Sequence, residues 1–240
     1  MNDLLNFITL EYKYDCKLKF LIEKYSLVKI VSEIIELVKI ENSDLIEVMT
    51  FARDFYIGSD LNEEEKANYY SELNKQNFFQ ELNKHLYSEK IGISNYAIYT
   101  FGKFSNKENS KYLETAYETK FRNENSISSY QCLSELEWLK SVKVKEYKKH
   151  LKSEKSLSSK LTLIYLYERW SNEIEIEKIL KGKGFQNFIN PNSEKIITTE
   201  SIYQKLWDFE NYFYTISTEN IKMSDFEKIG RNYFKNLQVE

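Results

Sequence analysis

The stretch "ISNYAIYTFGKFSNKENSKYLETAYETKF", residues 93–121, decides how this chain folds. Ile93, Tyr96, Ala97, Thr100, Phe101 and Phe104 recur at three- and four-residue spacing, and the polar run "SNKENS" follows them. Tyr112, Leu113, Ala116, Tyr117 and Phe121 then resume that spacing. Side chains three and four apart share one face of an α-helix, so the stretch predicts a helix, a turn with Asn106 as N-cap, and a returning partner helix. The layout comes again in "SISSYQCLSELEWLKS" (126–141) and "VKVKEYKKHL" (142–151). There Ile127, Tyr130, Leu133, Leu136 and Leu139 are answered by Val144, Tyr147 and Leu151. Tyr130 follows Tyr96 by 34 residues, and Leu163 follows Tyr130 by 33, within a third apolar helix, "KLTLIYLYERW" (160–170). A short helix over Ile174 to Leu180 would be its partner. A period of that size predicts stacked helix pairs.

Outward from this stretch the chain stays helical. Towards the N-terminus, Leu4, Leu5, Ile8 and Tyr12 form one stripe, and Leu27, Val28, Val31, Ile34, Ile35 and Val38 form a second. Asn42-Ser43-Asp44 signals a cap before Leu45, Met49, Ala52, Phe55 and Tyr56, and Gly58 fits a helix stop. Asp60 with Glu63 reads as a capping box, and the acidic run Glu63–Glu65 suits a helix first turn. Tyr70, Leu73, Phe79, Leu82 and Leu86 belong to one long helix or to two broken near Asn74 to Asn77, and Gly92 marks a break. Towards the C-terminus, Gly182 and Gly184 end a helix, and "FINPNSEK" (188–195) is a loop around Pro191. Beyond it, Ile202, Leu206, Phe209 and Phe213 make a stripe, and Ser224 with Glu227 reads as a capping box. The expected organisation is one all-helical domain over 1–240. It comprises N-terminal hairpins over 1–90, repeats over 91–181, and capping helices over 198–240 that pack back on the array.

Composition supports the same class. One Pro and six Gly in 240 residues leave little turn chemistry for an all-β chain. Hydrophobic residues at 42% and charged residues at 30% suit a folded globular protein. The 19 Tyr and 15 Phe fit AT-rich codon usage, as in many bacteria, more simply than a selected aromatic surface. A net charge of −3 speaks against a dedicated nucleic-acid binder, because phosphate neutralisation needs a basic excess. Cys16 and Cys132 belong to no metal or disulfide pattern and read as reduced thiols, so a cytoplasmic setting is expected. The first residues show no basic region ahead of an apolar core, and no apolar run reaches the roughly 20 residues that span a bilayer.

The segment from Ser94 to Phe121 resembles a HEAT repeat. Ala97 and Gly102 stand at close-packing positions of the first helix, and the second reads Tyr112-Leu113-x-x-Ala116. The likeness weakens over 126–151, where Glu135 takes the place of Phe101, and weakens further over 157–181. The family's usual proline and turn aspartate are absent. The resemblance implies a right-handed α-solenoid of antiparallel helix pairs with a terminal helical cap.

Catalytic chemistry is thinly represented. His85 and His150 each follow a Glu by four residues (Glu81 and Glu146), which reads as two surface Glu–His pairs. That spacing is neither the Glu-x-x-His of di-iron bundles nor a zinc-protease pair, and no metal or other cofactor is expected. "SISSY" and "SLSSK" sit at helix starts, where hydroxyls cap. Seven lysines between 140 and 155 could touch phosphates or an acidic partner, although a solvated face explains them as simply. Some bacterial glycosylases that act on alkylated DNA are single HEAT-like solenoids of about this length. By that resemblance, Trp138 with Glu135 or Glu137, and Trp170 with Arg169, would be candidates at a lesion. The plainer reading of Trp138, Trp170 and Trp207 is core or inter-helix packing.

The leading expectation is a non-enzymatic scaffold that binds another protein. Stacked pairs present one row of helices, and Lys111, Glu114, Thr115 and Glu118, with Lys145, Glu146 and Lys149, are the candidate contact residues. A toxin-neutralising immunity protein and an adaptor in a larger assembly both fit a small acidic chain of this type.

Overall fold

The computed structural model describes residues 18–40, 44–57, 61–104, 106–189, 208–209 and 223–236. Among them are thirteen α-helices, one 3-10 turn and no strand. The chain divides into two compact units between Ala116 and Tyr117. The stripes at Leu4–Tyr12 and at Ile202, Leu206 and Phe213 lie outside the described residues, as do Cys16, Asn42, Ser43, Gly58, Asp60, Pro191 and Trp207.

Unit one holds α1 (Leu18–Tyr25), α2 (Leu27–Val38), α3 (Leu45–Ile57), α4 (Glu63–Lys75), α5 (Phe78–Leu86), α6 (Ile91–Lys103) and most of α7 (Lys107–Thr119). The sequence stripe on α2 is the one it buries, through Val31, Ile34, Ile35 and Val38, while Val28 stays exposed. The capping box at α4 is built by Asn62 and Glu65: Asn62 Oδ1 accepts from the Glu65 amide, and Glu65 Oε2 accepts from the Asn62 amide. The box thus lies two residues beyond its expected place. Asn77, at φ 65°, separates α4 from α5, so the ambiguous segment is two helices.

The core of unit one is aromatic. Phe79 meets Phe101 at 6.0 Å and Phe104 at 5.2 Å, while Ser94 Oγ donates to the Leu86 carbonyl at the other end. α5 and α6 therefore run antiparallel. Arg53 lies over the Tyr99 ring at 4.8 Å and Tyr56 meets Phe104 at 4.9 Å, so positions rise together along α3 and α6, which run parallel. Gly92 sits inside the first turn of α6, against Ile46, and not at a break. Phe101 stacks on Tyr112 at 5.3 Å, the contact expected between the helices of the first hairpin. Tyr96 departs from its predicted inward face and is exposed.

Unit two follows with the 3-10 turn Phe121–Asn123, then α8 (Ser126–Trp138), α9 (Val144–Ser153), α10 (Leu157–Arg169), α11 (Glu173–Leu180), α12 (Lys183–Ile189) and α13 (Met223–Asn236). α10 is its centre, buried from Leu157 to Tyr167 except at Lys160. Ser158 Oγ donates to the Glu124 carbonyl, Thr162 Oγ1 donates to the Ser126 carbonyl, and Glu135 pairs with Arg169 at 3.6 Å. These contacts join residues about 34 apart all along the two helices, so α8 and α10 run parallel. Of the serines of "SISSY" and "SLSSK", Ser156 caps as expected and the others lie within the helices. The caps are Asn125, accepting from the Ser128 amide, and Ser156, accepting from the Ser159 amide. Ser126, Ser128, Ser129, Ser158 and Ser159 lie buried inside the helices, where small side chains let backbones approach.

Candidate functional site

The residues expected to contact a partner fall in both units. In unit one, Lys111 and Thr115 are exposed on α7, with Thr115 Oγ1 turned back to the Lys111 carbonyl, and Glu114 is half-buried. In unit two, Lys145, Glu146 and Lys149 are exposed on α9. Glu118 accepts from the Tyr147 hydroxyl at 2.6 Å and from Lys143 Nζ at 2.9 Å. The Tyr147 hydrogen bond, then that from Lys143, holds its carboxyl below the usual carboxylate range. Of the lysine-rich run, Lys143, Lys148 and Lys152 are likewise engaged, by Glu118, Glu137 and Glu175.

Trp138 and Trp170 depart from the packing expectation. Trp138 is 50% exposed and Trp170 is 45% exposed. Each stands at the end of one of the two parallel helices, and those ends are joined by the Glu135–Arg169 pair, with Arg169 6.0 Å from the Trp170 ring centre. The helices stop in the same way. Ser141 N–H bonds the Leu136 carbonyl and Lys140 N–H bonds Glu137; Asn172 N–H bonds Tyr167 and Ser171 N–H bonds Glu168. This is the Schellman geometry, and it puts Lys140 and Ser171 in the left-handed region at φ 57° and 51°. Beyond each stop stands an exposed aliphatic residue, Val142 at 90% and Ile174 at 70%. Trp-x-x-x-Val and Trp-x-x-x-Ile thus recur 32 residues apart on one edge of unit two. That spacing was present in the sequence, where core or inter-helix packing was the plainer expectation for each ring.

A second feature of unit two is a cleft of about 710 Å³ between α10, α11, α12, α13 and the α9–α10 turn. Leu163, Ile179 and Phe185 contribute its apolar lining, and Lys152, Lys155, Lys160, Lys178 and Arg231 its cations. Glu175 accepts from Lys178 at 2.8 Å and Lys152 at 2.9 Å, and these two hydrogen bonds hold its carboxyl at about 2. Lys160 Nζ donates to the Lys152 carbonyl, and burial lowers its pKa. The lysine-rich run supplies Lys152 and Lys155, but no periodicity or motif joins them to Lys160, Lys178 and Arg231, and the cleft's lysines come from four separate segments.

The histidines differ from expectation in kind. His85 is buried, with Nε2 2.6 Å from the Val38 carbonyl. His150 is exposed and pairs through Nδ1 with Glu154 at 2.7 Å, not with Glu146, and Arg122 reaches its Nε2. Among the described residues no group of three or more His, Cys, Asp or Glu side chains is placed to hold a metal, and no helix is long and apolar enough to cross a membrane. Cys132 is buried, which raises its thiol pKa and leaves it a poor nucleophile. The chain matches no family model, no curated protein and no solved structure, so the geometry alone carries the functional reading.

Proposed function

We propose that this chain is a helical-repeat scaffold of α-solenoid type whose task is to bind another protein. The observation that carries the reading is the repeated exposed pair, Trp138 with Val142 and Trp170 with Ile174, on one edge of unit two. Large aromatic side chains left in water cost hydration free energy, and Trp together with Arg dominates the energetics of protein interfaces. Lys145, Glu146 and Lys149 lead away from Val142 along α9 and supply a charged rim. Lys111, Glu114 and Thr115 on α7 are a separate candidate surface of unit one. The parallel packing of α8 on α10, with partner positions about 34 apart, supports the solenoid reading for unit two.

A nucleic-acid partner is the second reading, because exposed indole rings also stack on bases. Its base-excision form is weaker. Glu135 is 1% exposed and tied to Arg169, so this carboxylate is closed to a substrate. Photo-crosslinking residues placed at 138, at 170 and, as a control, at the exposed Glu64 test the choice. The proposal expects one protein crosslinked from both 138 and 170 and not from 64. Nucleic acid recovered from 138 and 170 replaces it with the second reading.

A further inference from the structure

We propose that the cleft between α10, α11, α12 and α13 binds a small ligand with an apolar or aromatic body and a polyphosphate, of the nucleoside diphosphate class. The site is independent of the tryptophan edge and of the protein-binding reading.

Charge is the first argument. The chain as a whole carries −3, yet this cleft is lined by five cationic side chains, Lys152, Lys155, Lys160, Lys178 and Arg231, against two carboxylates, Glu154 and Glu175. Both carboxylates are already engaged. Glu175 takes Lys152 and Lys178, while Glu154 takes His150, Arg122 and the Ser159 hydroxyl. By formal charge the five cations exceed the two carboxylates by three, or by two once Glu227, on which Arg231 acts, is counted, and a nucleoside diphosphate carries about three negative charges near neutral pH. An excess of that size in a concave, partly desolvated site draws a multiply charged anion more strongly than a monocarboxylate.

Shape is the second argument. A volume of about 710 Å³ lies within the range of small-molecule sites, roughly 300–1,000 Å³. Inorganic phosphate alone would leave most of it empty. Leu163 and Phe185 are buried beneath the cleft floor, so Ile179 with the methylene stems of the lining lysines offers the apolar surface for a planar base, beside the ammonium groups that would meet the phosphates. Lys160 stands where both meet: its stem leaves α10 next to Leu161, and its ammonium has given one of three donors to the Lys152 carbonyl. An ammonium held in a site that disfavours its charge gains more from an anion than a fully solvated lysine does.

Gly184 gives a clean way to close the cleft. It lines the cavity, and a Cβ added there meets no atom within 4 Å. A leucine at this position fills open space and raises the helix propensity of α12, so folding is retained.

The test is calorimetric titration of the full chain with ADP, adenosine and pyrophosphate, on the wild type, on Lys155→Ala/Lys160→Met, on Gly184→Leu, and on Lys149→Ala as a surface control. Thermal melts establish that each variant is folded. The proposal expects saturable ADP binding, at least tenfold weaker binding of adenosine and of pyrophosphate, at least tenfold loss in both cleft variants, and no change in Lys149→Ala. Absence of ADP binding at millimolar concentration overturns the proposal. ADP binding unchanged by Gly184→Leu also overturns it, because the ligand is then elsewhere. Pyrophosphate binding as tightly as ADP overturns the nucleoside assignment.

Discussion

Glu227 on α13 places a carboxylate oxygen 2.6 Å from the backbone amide of Leu157, the first residue of α10. The contact joins residues 70 apart in sequence and gives an orphan amide at the start of a buried helix its acceptor. The Ser158 amide points to the same oxygen. Burial raises the Glu227 carboxyl above its usual range, although both amides favour the charged form. In the sequence, Glu227 reads as closing a capping box on its own helix; in the structure it caps another. Glu227→Ala should destabilise the protein by about 1–2 kcal/mol, with Glu227→Gln costing less because one acceptor survives. Chemical denaturation of the three proteins measures this.

His85 seals the end of α2 in a comparable way, through its Nε2 and the Val38 carbonyl. His85→Leu preserves much of the volume and removes the hydrogen-bonding nitrogen. The expected loss is about 1–3 kcal/mol, the usual cost of a buried polar group without its partner. A melt unchanged within error would show that water reaches the carbonyl.

Lys140 and Ser171 occupy left-handed positions that an L side chain adopts at a cost. Lys140→Gly and Ser171→Gly should each stabilise the protein by about 0.5–1 kcal/mol, and the two gains should add. Glycine at the exposed helical position Glu177 should instead destabilise by about 1 kcal/mol. The opposite signs, read by urea denaturation, test the Schellman assignment directly.

Glu175 gives the pH dependence. Its pKa is depressed to about 2 in the folded protein by Lys178 and Lys152, against an ordinary value of 4.5. The folded state thus holds fewer protons than the unfolded chain between those values. The stability from this carboxylate is present above about pH 4.5 and is lost as pH falls towards 2. In denaturation series from pH 6 to pH 3, the difference between wild type and Glu175→Gln should shrink as pH falls. It should also shrink with added salt, since the group is partly exposed.

The all-helical class was legible because α2, α5 and α9 carry strong 3.6-residue periods and the chain has almost no proline or glycine. What stayed hidden depends on direction and on distant partners. Trp138 and Trp170 were expected to pack because large rings usually do, and the Schellman stops that follow them arise at residues with no glycine to announce them. Asp60 resembled a capping residue as well as Asn62 does, and the choice rests on where α4 begins. His85 looked like a surface pair with Glu81 because its real partner, Val38, is 47 residues away. The basic cleft gathers Lys155, Lys160, Lys178 and Arg231 from separate helices and turns, so no local window contains it.

The protein-binding reading stands or falls on the tryptophan edge. Once the polypeptide crosslinked from positions 138 and 170 is purified, its affinity for wild type and for Trp138→Ala/Trp170→Ala is the decisive measurement. Both rings are largely outside the core, so the double variant should keep its fold, verified by its melt. The account predicts at least a hundredfold weaker binding, about 2.7 kcal/mol, consistent with two interface hot spots. Affinity unchanged within a factor of three in the folded double variant contradicts it.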